Sequence, residues 1–283
     1  MGLYVVFGLL AATVLQMLIV LPLVDWEVAR VADITTAPET MPGGRWTLLV
    51  VQGVSAACIF LLAPWLYLKQ HERRKVSSLS PRSVPPEALL LAAAVTIVAL
   101  PANAFFIEWN EAIRLPPAVE AWARGQEDSR AVLTEYLTTF AGPGQLLLAL
   151  VVIAVVPALG EELLFRGLLQ PQLARRVGPH VSIWLVALIF SAFHFQPYGL
   201  VPRTLLGALF GYLYYWSGNL WAPITAHFAN NAFTLLMVYL YRSGVSDLDL
   251  ESSDGTPLLY SALSLGLVVA GLFYFRKTVS PRV

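Results

Sequence analysis

Long apolar runs constrain this chain more than any other feature. A helix needs about 20 predominantly apolar residues to cross the hydrocarbon of a bilayer. About eight runs approach that length: residues 3–24, 47–68, 88–107, 145–169, 181–195, 204–216, 220–241 and 258–275. Pro101 predicts a bend in the third. The fifth and sixth are short, and Pro197, Pro202 and the glycines around them predict tilt or a break. Composition agrees: 57% of the residues are hydrophobic and 13% charged, against about 45–50% and about 25% in a soluble domain. One globular core cannot hide that much apolar surface. Disorder, a coiled coil and a basic nucleic-acid-binding surface are excluded. The predicted fold is an all-α, polytopic transmembrane helix bundle.

Loop charge predicts its orientation. Lys69, Arg73, Arg74, Lys75 and Arg82 follow the second run, Arg175 and Arg176 the fourth, and Arg276, Lys277 and Arg282 the last. The alternate connections are acidic: Asp25, Glu27, Asp33 and Glu39; Glu108, Glu111, Glu120, Glu127, Asp128 and Glu135; Asp247, Asp249, Glu251 and Asp254. Basic connections stay in the cytoplasm, so both termini are predicted to be cytoplasmic, in the cell (inner) membrane. The opening MGLYVV has neither a basic leader nor a small-residue cleavage site, which predicts a retained first span, and Val6 breaks the myristoylation pattern.

Within this single membrane domain three parts are distinguished. Residues 1–144 hold three spans and an extracytoplasmic loop, 145–241 the polar motifs, and 242–283 a loop and the last span. The segment 108–142 reads either as a surface helix, with Trp109, Trp122 and Tyr136 at the interface, or as an ordinary loop. Cys58 is the single cysteine, so no intramolecular disulfide exists. Lys plus Arg equal Asp plus Glu at 18 each, so net charge names no partner.

The chemistry lies in what the spans should not contain. An ionisable side chain in a span costs about 2.5–3.5 kcal/mol and marks function by default. The fourth run carries Glu161, Glu162 and Arg166, the fifth ends at His194, and the seventh carries His227, Asn230 and Asn231. Glu162 and Arg166 are four residues apart and can pair on one helix face. Glu161 is turned from Glu162 by about 100° and lacks a local cation. His227 and Asn231 share a face, as do Phe190 and His194. At 1.5 Å per residue from the basic ends, Glu161 lies about 13 Å deep, His227 about 10 Å and His194 about 20 Å. The three are therefore predicted to converge in the cytoplasmic half of the bilayer. Gly207 and Gly211 have the spacing of close helix packing, and Asn230 reads as a polar helix contact.

At these residues the sequence resembles the CPBP family of intramembrane proteases, the CAAX proteases and bacteriocin-processing (Abi-type) enzymes. Its pattern is EExxxR, then FxxxH, then HxxxN. Here these are Glu161-Glu162 with Arg166, Phe190 with His194, and His227 with Asn231, in order and each on an apolar run. The resemblance covers about residues 145–241. It implies an intramembrane endopeptidase acting on a membrane-associated or prenylated-type protein or peptide. Glu161 would be the base, His194 would help hold the attacking water, and His227 and Asn231 would form the oxyanion hole. Glu162 and Arg166 would be supporting or substrate-facing. Such a base and such donors suit a dry pocket. The family is often named as metalloproteases. With no HExxH present, a metal-free glutamate mechanism with no cofactor is favoured. A zinc held by Glu161, His194 and His227 stays open, as two His and one carboxylate do bind it elsewhere. The implied partners are a protein or peptide substrate and the bilayer, with no nucleic acid.

Two other readings use the same residues. Glu and His inside spans also build proton-coupled or ion transporters, though no internal repeat is visible. A non-catalytic membrane scaffold or immunity protein would keep the fold alone.

Overall fold

The computed structural model describes residues 1–41, 43–140, 142–247 and 257–280. Asp249, Glu251, Asp254 and Arg282 of the charge pattern lie outside them. Among the described residues there is no strand. The main helices are α1 (Gly2–Val24), α2 (Gly44–Glu72), α3 (Pro86–Glu111), α4 (Pro117–Thr138), α5 (Pro143–Val177), α6 (Pro179–Ala192), α7 (Leu200–Ser217), α8 (Trp221–Arg242) and α9 (Leu258–Val279). All-α architecture is as the sequence predicts.

Several boundaries follow from single residues. Prolines open α3, α4, α5 and α6, where the missing N–H is one that a first turn leaves unused anyway. Gly178, at φ +81°, is the whole connection between α5 and α6, and Gly218, at φ +62°, ends α7. Both need a backbone that a side chain disfavours. Pro101 bends α3 without ending the span.

Five helices, α1, α2, α3, α5 and α9, are long and apolar enough to cross a membrane. α6 has the composition but not the length. α7 and α8 do not meet the criterion, and they carry Arg203, His227, Asn230 and Asn231. α5 carries Glu161, Glu162 and Arg166 within an otherwise apolar span, so the polar groups sit on α5, α7 and α8. On α1 and α9 large side chains such as Leu3, Leu10, Leu18, Leu258, Leu267 and Phe273 are exposed, as lipid-facing surfaces require.

Small residues set the closest approaches. A Cβ on Gly160 of α5 would lie 2.6 Å from Cβ of Phe60 on α2. A Cβ on Gly211 of α7 would lie 2.8 Å from Ile183 Cγ2 on α6. The Gly207–Gly211 spacing therefore does serve packing, of α7 on α6.

Apart from α4, consecutive helices run between two ends of the bundle. At one end, Tyr214 donates to the Leu79 carbonyl at 3.1 Å, the Leu220 amide to Ser80 Oγ at 3.0 Å, and Gln172 to Glu72 at 3.3 Å. This end carries Arg73, Arg74, Lys75, Arg82, Arg175 and Arg176. At the other end, Arg45 donates to the Tyr136 carbonyl at 2.6 Å, and Asn110 bridges the Pro197 carbonyl and the Val201 amide at 3.1 and 2.8 Å. The acidic connections gather there.

Candidate active site

The site starts from an ion pair that no water reaches. Arg166 Nη1 donates to Glu162 Oε1 at 2.8 Å, and both side chains are fully buried. The i,i+4 spacing on α5 makes the pair, as its sequence predicts. Arg166 Nη2 also donates to the Gly207 carbonyl at 2.9 Å, tying α5 to α7. Its guanidinium lies 4.7 Å from the Phe190 ring and 5.5 Å from the Phe210 ring. Aromatic faces and a carboxylate together replace the hydration a buried cation loses.

Glu162 Oε1 has a second partner: Nδ1 of His227, at 2.8 Å. A carboxylate accepts, so Nδ1 of His227 carries the proton. The ring is stacked on Phe210, with centroids 5.0 Å apart, and meets Phe190 edge-on at 6.1 Å. Its far nitrogen, Nε2, lies 4.0 Å from Glu161 Oε2. That is too long for a direct hydrogen bond. Glu162 therefore fixes the tautomer and angle of His227 in addition to pairing with Arg166.

His194 sits just past the end of α6. Its Nδ1 donates to the Phe190 carbonyl at 2.9 Å, which leaves the Nε2 lone pair free to accept. The Phe-x-x-x-His spacing thus does two things: the Phe190 carbonyl orients His194, and its ring packs on Arg166 and against His227.

Asn231 donates through Nδ2 to the Ile153 carbonyl at 3.0 Å, and its Oδ1 accepts from Asn230 Nδ2 at 3.0 Å. The first bond has a local cause. Pro157 stands four residues after Ile153 and has no N–H, so the Ile153 carbonyl lacks its helical donor. Asn231 of α8 supplies one. The second N–H of its amide remains, and Asn230 keeps the amide from turning.

Glu161, His194, His227 and Asn231 all line one cavity of about 710 Å³. The four are brought to one cavity by α5, the end of α6 and α8. Glu162 and Arg166 lie behind it. The cavity's other walls depart from expectation. Glu127, Arg130, Thr134 and Thr138 of α4 line it, as do Gln196, Tyr198 and Arg203, and Arg130 Nη2 donates to the His194 carbonyl at 2.6 Å. The segment 108–142 is therefore largely helix, and it walls the site. The depth arithmetic, which assumed straight helices measured from the basic end, predicts the cytoplasmic half. In the structure His194 lies at the opposite end of α6, and the cavity reaches the end of the bundle that carries the acidic connections. Trp109 and Trp122 are exposed, whereas Tyr136 lies under the Arg45 guanidinium at 4.7 Å.

A zinc would need three ligands drawn from Glu161, His194 and His227. Among the described residues no group of three or more His, Cys, Asp or Glu is gathered in a way that could hold a metal ion. His227 Nδ1 is committed to Glu162, which leaves Nε2 as its one possible ligand atom. As placed, these three side chains are not gathered around a metal position.

Fold and site together define an all-helical protein with spans long and apolar enough to cross a membrane and a polar cavity among its helices. Residues 143–233 match the family model of type II CAAX prenyl endopeptidases, described as Rce1-like. This part of the chain, which holds all three motifs, is similar to the CAAX-protease family that they resemble. A relative, the uncharacterized protein YpbD of Bacillus subtilis (strain 168), is 36% identical over 87 residues, which is 29% of this chain and 42% of that protein. The match thus spans less than half the length of the relative. No solved structure matches.

Proposed function

We propose that the protein is an intramembrane endopeptidase that hydrolyses a peptide bond of a membrane-associated or prenylated-type protein or peptide by a glutamate-activated water. One observation carries the reading. Four polar side chains from α5, the end of α6 and α8, Glu161, His194, His227 and Asn231, line a single cavity inside the segment that matches the CAAX-protease family.

In this mechanism the water donates one hydrogen to Glu161 and the other to the free Nε2 of His194. Its lone pair is left facing the scissile carbonyl. Glu161 takes the proton as the oxygen–carbon bond forms, and later delivers it to the leaving nitrogen. The oxyanion is met by the second N–H of Asn231 and by Nε2 of His227. Nδ1 already bears a proton, so Nε2 donates only when the ring is imidazolium. Removing one such donor typically costs about 10²–10³ in turnover.

The basic end of the bundle fits the cytoplasmic side. The cavity is then approached from the opposite face or laterally from the bilayer.

The test compares peptides of membranes carrying the wild type with those carrying Glu161→Ala, by mass spectrometry. Cleavage products are expected only with the wild type. Glu161→Ala, His194→Ala and His227→Ala should each abolish cleavage at unchanged membrane level, and activity retained by any two of them sinks the assignment.

A further inference from the structure

Outside the three motifs, two cations, Arg203 and Arg130, share the cavity without a paired carboxylate. Arg203 of α7 lines it together with Glu161, His194 and His227. Its Nη2 donates to Gln196 Oε1 at 2.6 Å, and its Nη1 is buried with no hydrogen-bond partner. The guanidinium rests against Gly199, where a Cβ would stand 2.8 Å from Nη1 and 3.1 Å from Nη2. Bare backbone at residue 199 therefore makes its seat.

Arg130 lines the same cavity and is held by the His194 carbonyl. Among the described residues no carboxylate lies within 4.0 Å of either arginine. Acids are present in the walls: Glu111, and Glu127, whose Oε2 is also buried and unpartnered. These charges share one cavity, on α3, α4 and α7, without forming an ion pair within 4.0 Å. A guanidinium does not lose its proton in a protein, and an uncompensated charge in such a setting is costly. The group that completes it must come with the ligand.

We propose that Arg203, assisted by Arg130, is the receptor for a carboxylate of the peptide substrate. The inference rests on the peptidase reading for the nature of the ligand. Carboxylates, at the C-terminus or on Asp and Glu, are the only anions an unmodified peptide carries. A guanidinium fork matches them in shape as well as charge. Arg203 then sets where the chain end or an acidic residue lies relative to the Glu161 water, and so which bond is cut.

The experiment uses Glu161→Gln protein in nanodiscs, which binds without cutting. Three dansylated tetrapeptide probes are compared by fluorescence anisotropy: four leucines with a free carboxylate, the same with an amide terminus, and the amide with glutamate in place of the last leucine. The free acid should bind about 10–100-fold tighter than the leucine amide. Tight binding of the glutamate amide as well assigns the receptor to side-chain carboxylates too, and weak binding assigns it to the terminus. Adding Arg203→Gln should bring the acid-to-amide ratio close to one. Gly199→Ala, which keeps the charge and displaces it, should lower the ratio in the same direction. Equal affinity for acid and amide, or a ratio that Arg203→Gln leaves unchanged, overturns the proposal. These outcomes do not depend on hydrolysis: failure of the peptidase reading shows as absent cleavage by the wild type, and failure of this one as absent preference for the acid.

Discussion

Glu162→Gln removes a charge and almost no volume, and its cost can be worked from the buried cluster. Arg166 is fully buried and loses the carboxylate at 2.8 Å. Removing one partner of such a pair costs about 3–5 kcal/mol. The His227 bond to residue 162 becomes neutral instead of charge-assisted, which takes away about 1 kcal/mol more. The Gly207 carbonyl and the Phe190 and Phe210 rings remain beside Arg166 in both proteins, so they cancel in the difference. A loss of about 4–6 kcal/mol is expected, read as a lowered midpoint in SDS titration of the protein in mixed micelles. The companion variant Glu162→Leu/Arg166→Met replaces both charges by apolar groups. It should return to within about 2 kcal/mol of the wild type, because such replacement is often neutral or better. It should stay inactive, since His227 has lost the acceptor that fixes its Nδ1 proton. A single-variant cost under about 1 kcal/mol refutes the burial of the pair. A double variant that cleaves like the wild type refutes the role of Glu162 in setting His227.

Asn231→Ala strips the Ile153 carbonyl of its donor and the proposed oxyanion hole of an N–H. Stability should fall by about 1–3 kcal/mol and turnover by about 10²–10³, and an unchanged kcat in a folded variant assigns Asn231 to structure alone. Gly160→Ala places a Cβ 2.6 Å from that of Phe60, so α2 and α5 must separate. A loss of about 1–3 kcal/mol in the same titration is expected, and none would show that the approach is looser. Orientation is tested by cysteine labelling, with the native Cys58 buried. Ser129→Cys on α4 should react with an impermeant maleimide in intact cells and Ser83→Cys only after permeabilisation; the reverse pattern inverts the proposed topology.

Much of this site was legible because its information is local. Glu162 and Arg166 pair through their own helix spacing, as do Phe190 and His194. The all-α architecture followed from run length, since a bilayer leaves the backbone no partner but itself. Even the Ile153 to Asn231 bond had a signal that went unread: Pro157 four residues on leaves that carbonyl without a donor. Arg203 stands one residue before the apolar run 204–216, a local signal that a cation lies near the site.

The sequence by itself determined the kind of molecule and its polar inventory: apolar helices, a basic and an acidic set of connections, and three motifs in order. Only the tertiary structure decided that Glu162 serves His227, that α4 folds back to wall the cavity, and that Arg203 sits against Gly199 without a counter-ion. The physical reason is one of range. Residues three or four apart are brought together by helix geometry alone, whereas the facing of α5, α7 and α8 depends on how close their small residues let them pack.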